Sequence, residues 1–148
     1  MLPDFIPLDS QAAVTDFMKT AHWLHDSCIR SFFMSNPMYV NGEGGMVFPQ
    51  ENFPGESSVN VIFQSQPLSD SAIELELHGV RNLRCEGVGL GNDGIVLSAQ
   101  ILLDRDSGVT VICNPDDDGG TFRVDARSAS WRQRPDLINA SGVCVTAA

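Results

Sequence analysis

Over residues 72–86 the chain reads AIELELHGVRNLRCE, and the alternation in its first half suits only one kind of backbone. Ile73, Leu75 and Leu77 alternate with Glu74, Glu76 and His78, a period of two that sends three aliphatic side chains to one face of a strand and three polar ones to the other. Gly79 interrupts the pattern, and Val80, Leu83 and Cys85 resume an apolar series, so a bend or bulge is expected there before the strand continues. Such a strand requires a sheet to join.

The rest of the chain supplies one. Val59, Val61 and Phe63 alternate before a turn at Gln66 to Asp70. Beyond Asn92-Asp93-Gly94, Ile95, Leu97, Ala99 and Ile101 oppose Val96, Ser98, Gln100 and Leu102 in what reads as one long strand. A turn at Asp104 to Gly108 leads to Val109, Val111 and Cys113, and the turn at Asn114 to Gly120 leads to Phe122, Val124 and Ala126 alternating with Arg123, Asp125 and Arg127. Strands joined by such short turns pair antiparallel. Trp131 has the parity of Arg123 and Arg127, which calls for a bulge at Ser128 to Ser130 or for cover on both sheet faces.

Ahead of the sheet, Asp9 or Ser10 can cap a helix whose apolar stripe is Val14, Phe17, Met18, Ala21 and Leu24. From residue 26, Cys28, Arg30, Phe32 and Met34 share one strand face and Ile29, Ser31 and Phe33 the other, although continued helix to about Phe33 fits the same residues. Large apolar groups on both faces suit a central strand covered by the helix on one side and by more sheet or a partner on the other. Residues 41–57, with four glycines and two prolines around Met46-Val47-Phe48, read as a hairpin turn followed by a long loop, a length often functional. After Pro135 the chain reads as a tail with a short strand at Val143 to Thr146. The expected architecture is α+β: a mainly antiparallel sheet of six to eight strands, with strong curvature or partial barrel closure. One N-terminal helix packs on a face, and the 148 residues form a single domain with an extended lead at 1–8 and a tail at 136–148.

Nineteen acids against nine bases give a formal charge of −10. Such a field repels phosphate backbones and anionic bilayers, so neither nucleic acid nor membrane is an expected partner, whereas a basic protein is. Cys28, Cys85, Cys113 and Cys144 lie far apart with no C-x-x-C pair, which suits free thiols rather than a metal framework. No basic and apolar leader marks the N-terminus, so a cytoplasmic address is expected and the sequon at Asn139 would go unused.

Few residues carry a chemical signal. His25 and Asp26, after His22, could form an oriented general base, or serve as a helix-end turn. Glu74, Glu76 and His78 project to one side and could form a binding site or the wet face of the sheet. Asn114, Asp116, Asp118 and Asp125 follow calcium-loop spacing, but with Asn first, Asp in the twelfth position and strands for flanks, so an acidic hairpin turn is the simpler reading. No cofactor is implied.

The segments Trp23-Leu24-His25-Asp26-Ser27-Cys28-Ile29, Ile73 to Leu83 and Ser128-Ala129-Ser130-Trp131-Arg132 resemble those of small uncharacterised bacterial proteins grouped with immunity proteins of polymorphic toxin systems. The resemblance spans residues 17–132 and implies an antiparallel sheet and a protein partner, with no catalytic residues. Two functional expectations follow: an acidic interaction module of the immunity type that meets a basic partner, and, as the alternative, a small hydrolase or ligand-binding enzyme using His25 and Asp26 in a cleft.

Overall fold

The computed structural model describes residues 1–48, 56–66, 72–86, 95–116 and 121–137. Its strands are β1 (Ile6–Pro7), β2 (Ser27–Ser35), β3 (Tyr39–Val40), β4 (Met46–Val47), β5 (Ser58–Ser65), β6 (Ala72–Cys85), β7 (Ile95–Val96), β8 (Ala99–Asp104), β9 (Gly108–Cys113) and β10 (Phe122–Gln133), with one helix, α1 (Gln11–Thr20). Eight strands form one antiparallel sheet in the order β7-β2-β5-β6-β10-β9-β8, with β1 added to β10, and β3 and β4 pair by themselves. The expected α+β class with a single helix on a curved antiparallel sheet is the one observed.

Curvature follows from connectivity. β7 and β8 stand at opposite ends of the sheet order, yet only Leu97 and Ser98 separate them in sequence. Three peptide steps span at most about 11 Å, so the first and last strands are drawn together and the sheet curls into an open barrel. No ladder joins β7 to β8 among the described residues.

Inside the curl lies one core. Val59, Val61, Phe63, Ile73, Leu75, Leu77, Val111, Phe122 and Val124 line it from the strands, and Val14, Phe17, Met18, Ala21 and Leu24 enter from the N-terminal segment. Ser10 caps α1 by accepting a hydrogen bond from the Ala13 amide (3.1 Å). The Phe17 and Trp131 rings meet at 5.1 Å between centroids. All five stripe residues are buried as expected, but the helix stops at Thr20 and Leu24 reaches the core from a separate turn.

The sequence parities fail at three places, each for a backbone reason. In the stretch 26–35, read as either strand or continued helix, Ser27–Ser35 form strand after a turn at Asp26, and the Ile29/Ser31 register shift makes Arg30 an extra residue. Ile29 therefore packs on the core while Phe32 and Met34 pair with the inward Val61 and Val59, so Cys28 and Phe32 do not share a face. The long strand expected from Ile95 breaks at Leu97 and Ser98, which turns Val96 into the core and leaves Leu97 exposed. Finally, β6 and β10 change parity together. Leu77 and Ala129 pair on the inner face, as do Val80 and Ala126, so each strand carries two non-core residues in a row between them. That kink turns Trp131 inward, so of the second-face residues Val96, Leu102 and Trp131, only Leu102 remains outside. The reading of a strand at Val143 to Thr146 lies outside the described residues, as do the sequon and the turn at Pro67 to Asp70.

Candidate functional site

His25 and Asp26 sit on a left-handed turn. His22, Trp23, Leu24 and Asp26 all have φ between 52° and 58°, a region that costs a non-glycine residue about 1–2 kcal/mol. The turn is held at both ends. The Leu24 amide donates to the Ala21 carbonyl (2.9 Å), Leu24 is buried, and the Ser27 hydroxyl donates to the Leu24 carbonyl (2.5 Å). Its outer side presents Trp23, 54% exposed, and an imidazole–carboxylate pair, His25 Nδ1 to Asp26 Oδ2 at 3.0 Å. The pair is open to solvent, with 61% and 44% of the two side chains exposed.

Glu74, Glu76 and His78 do share the outer face of β6, but they divide between two arrangements. Glu76 Oε2 lies 3.4 Å from His78 Nε2, in a row flanked by Ser58 and Asn60 of β5 and by Ser128 and Ser130 of β10. Glu74 is not on a wet face: only 6% of it is exposed. Its Oε2 accepts from Arg132 Nε (2.7 Å) and Arg134 Nη1 (3.0 Å), and its Oε1 accepts from Asn60 (3.1 Å). Arg134 also forks onto Asp136 (2.9 and 2.8 Å), and the Phe5 ring lies 4.2 Å from the Arg132 guanidinium. Burial pushes the Glu74 carboxyl up, but the hydrogen bonds from Arg132, Arg134 and Asn60 outweigh it and hold the group below its ordinary value. A carboxylate already held by three side chains is a clasp between β5, β6 and β10.

These groups are not brought to one cleft. The Asp26 carbonyl accepts from the Gln66 amide, and Ile62 pairs with Glu74, so the two levels differ by four residues of β5. That is about 13 Å along the strands, with two strand spacings of about 5 Å each across.

The residues with calcium-loop spacing separate as well. Asn114 is buried at φ 53°, with Oδ1 accepting from Leu97 N (2.7 Å) and Ser98 N (3.4 Å). Its Nδ2 donates to the Ile95 carbonyl (2.9 Å) and the Thr121 hydroxyl (3.1 Å). Asn114 thus clamps the β7–β8 corner. Asp125 lies within β10 and accepts from Thr110, Arg123 and Asn82. Asp116 is exposed and Asp118 lies outside the described residues. Among the described residues, no three His, Cys, Asp or Glu side chains come together as a metal site. Cys113 is an inert thiol, its pKa pushed up to about 12 by burial.

One cleft of about 680 Å3 opens where β9 leaves β10 and β1 joins it. Leu8, Val109 and Ala129 line it along with Asp9, Asp104 and Arg127, so it contains neither histidine pair.

Several large apolar side chains outside these groups are exposed. At the far end of β2, Phe32, Phe33 and Met34 are 40%, 68% and 41% exposed, and beyond it Met38, Tyr39, Val40, Met46 and Phe48 are 44–69% exposed. The hairpin expected around Met46 to Phe48 exists as β3–β4. Its turn is fixed by Asn41, whose side-chain oxygen accepts from the Glu43 and Gly45 amides. Residues 49–55, the start of the expected long loop, lie outside the described residues. The sequence signal for these side chains was the Phe-Phe-Met and Met-Tyr-Val runs in a stretch almost without charge.

The chain thus defines an open, curled antiparallel barrel with one helix plugging its core, in which the polar groups of the sheet are largely satisfied internally. It has no significant match to any protein-family model, to any curated protein or to any solved structure.

Proposed function

We propose that the protein is an acidic interaction module whose partner is a basic protein, with an immunity-type role as its finer form. The observation that carries this is how the charges are distributed. Five of the eight arginines (Arg84, Arg123, Arg127, Arg132 and Arg134) are ion-paired with Glu86, Asp125, Glu56, Glu74 and Asp136 of the same chain. Arg30 and Arg81 donate to the carbonyls of Leu137 and Ala126. Most cations are therefore turned onto the protein's own groups, and the surplus of acids that makes the chain −10 faces outward at Asp4, Asp9, Asp16, Asp104 and Asp106. A field of one sign speeds encounter with a partner of the other sign and selects against like-charged ones.

The hydrolase reading has less support. His25 and Asp26 pair with each other on an exposed turn, and the 680 Å3 cleft is lined by other residues.

The test is affinity capture from the source cell at about 50 mM and about 500 mM NaCl, where surface attraction is screened at the higher salt. A basic protein retained at low salt and released at high salt is the expected result. Capture of no protein, or only of acidic or salt-insensitive ones, would remove the proposal.

A further inference from the structure

We infer that Trp23 is the anchor of the contact with a basic partner, its indole stacking on an arginine side chain of that partner. The left-handed turn that carries it has a reason inside the fold. It delivers Leu24, 1% exposed, to the core, and it is fixed by the His25 amide donating to the His22 carbonyl (3.0 Å) and the Gln66 amide donating to the Asp26 carbonyl (3.0 Å). The tryptophan has no such reason. At φ 58° a bulky residue is an outlier, where glycine sits at no steric cost and asparagine is commonly found. The indole gives the domain little in return: it is 54% exposed and makes no hydrogen bond or ring contact among the described residues. Side chains held in sparsely populated backbone conformations without an internal use cluster where a ligand or partner is clamped.

The turn also presents the indole rigidly. Leu24 and Ser27 are both buried, and the Ser27 hydroxyl donates to the Leu24 carbonyl, so the backbone beside Trp23 is tied to the core. Little conformational freedom is left to lose when a partner arrives. Tryptophan is among the residues that most often dominate an interface.

Charge identifies the occupant. Residues 1–26 hold Asp4, Asp9, Asp16 and Asp26 against Lys19 alone, four acids to one base, formally −3 with the histidines neutral. α1 ends at Thr20, so the negative end of its dipole lies three residues before Trp23. Asp26 comes three residues after it, within about 11 Å along the chain, and its side chain is 44% exposed. An indole face, a helix C-terminus and a carboxylate all favour a cation. Of the two basic side chains, the planar guanidinium both stacks on an aromatic ring and pairs with a carboxylate. A second acidic copy would be repelled at the same place. Placing an arginine here rests on the basic-partner reading and adds to it the point of contact.

Affinity capture at about 50 mM NaCl with wild type, Trp23→Ala and Trp23→Gly as baits, followed by titration of the captured basic protein, tests the placement. Because Trp23 is exposed, both variants should fold, and their thermal melts should lie no lower than that of wild type, since glycine relieves the left-handed conformation. Each should bind the partner at least about thirtyfold more weakly, the loss of an anchoring aromatic. Acrylamide should quench the exposed indole in the free protein and be shut out from it in the complex. A basic protein bound equally well by wild type and both variants, or a Trp23 as open to acrylamide in the complex as outside it, overturns the inference and leaves the basic-partner reading standing. Capture of no basic protein by wild type removes both. Trp23 shielded by phosphatidylcholine vesicles instead of by the partner would make it a membrane anchor and overturn the inference as well.

Discussion

A Cβ built on Gly79 would lie 2.9 Å from the Cβ of Arg127 on the neighbouring strand, closer than real Cβ atoms approach. Gly79 also has φ +65°, which glycine adopts at no steric cost. This contact is the point at which β6 and β10 change parity together, so Trp131 reaches the core because of a residue on another strand. Gly79→Ala should lower stability by about 2–4 kcal/mol, combining the left-handed penalty with the clash. Adding Arg127→Gly removes the clash but not the penalty. Urea unfolding of the double variant should therefore recover part of the loss, and equal stability for wild type and Gly79→Ala would show that the kink is not imposed here.

The two tryptophans give a second prediction because their surroundings are opposite. Trp131 is 7% exposed and packs against Phe17, which is fully buried, whereas Trp23 is 54% exposed on the left-handed turn. Trp131→Ala should cost about 3–5 kcal/mol, a large share of a domain's typical 5–15 kcal/mol. Trp23→Ala should stay within about 0.5 kcal/mol. Denaturant unfolding of both compares them directly, and similar losses would mean that the turn carries more of the fold than its burial indicates.

What was legible in the sequence was what local periodicity determines. Val59, Val61 and Phe63, then Ile73, Leu75 and Leu77, face the core as their spacing requires, and the helical stripe from Val14 to Leu24 is buried throughout. The errors arise where one element's geometry is set by another. The extra residue Arg30 is defined only by its register against β5, and the corner at Leu97 and Ser98 by Asn114 sixteen and seventeen residues away. Glu74 looks like a solvated carboxylate until Arg132 and Arg134, fifty-eight and sixty residues on, arrive beside it. Of the candidate site residues, the pairs legible in sequence are the close ones, His25 with Asp26 and Glu76 with His78. Periodicity has no term for the left-handed turn: His22 and Asp26 are residue types enriched there, but Trp23 and Leu24 between them are not.

Acid should act through the Glu74 clasp. Its folded carboxyl lies below the ordinary value of 4.5, so its contribution is fully present above about pH 4.5 and is lost as pH falls through the folded value. Asp125 and Asp136, also held low by their partners, act in the same direction. Glu74→Gln should cost about 2–3 kcal/mol at pH 7, below the full figure for a buried pair because the arginine side chains are about a fifth exposed. The deficit should shrink as pH falls below about 4.5 and through the lowered folded value, where wild type loses the same interaction. Melting curves at pH 7, 4.5 and 3 would check this, and a deficit constant with pH would show that the charge on Glu74 contributes nothing.

Asn114 separates a structural clamp from a calcium ligand, because the two roles respond in opposite ways to one substitution. As first ligand of a calcium loop, Asn114→Asp would strengthen binding by adding the expected charge. As a clamp, the same change keeps the acceptor for the Leu97 and Ser98 amides but removes the donor to the Ile95 carbonyl, and sets a carboxylate against that oxygen. Both amide and carbonyl lie at the corner where the sheet's two edges are joined, and an unsatisfied buried group costs about 1–3 kcal/mol. Asn114→Asp should therefore be destabilised by about that amount, and millimolar calcium should not restore it. Asn114→Gly, which tolerates φ 53° but makes no side-chain bonds, should lose about 2–4 kcal/mol and speed amide exchange at Leu97 and Ser98. A calcium-dependent rise in the melting temperature of Asn114→Asp would instead reassign the turn as a cation site.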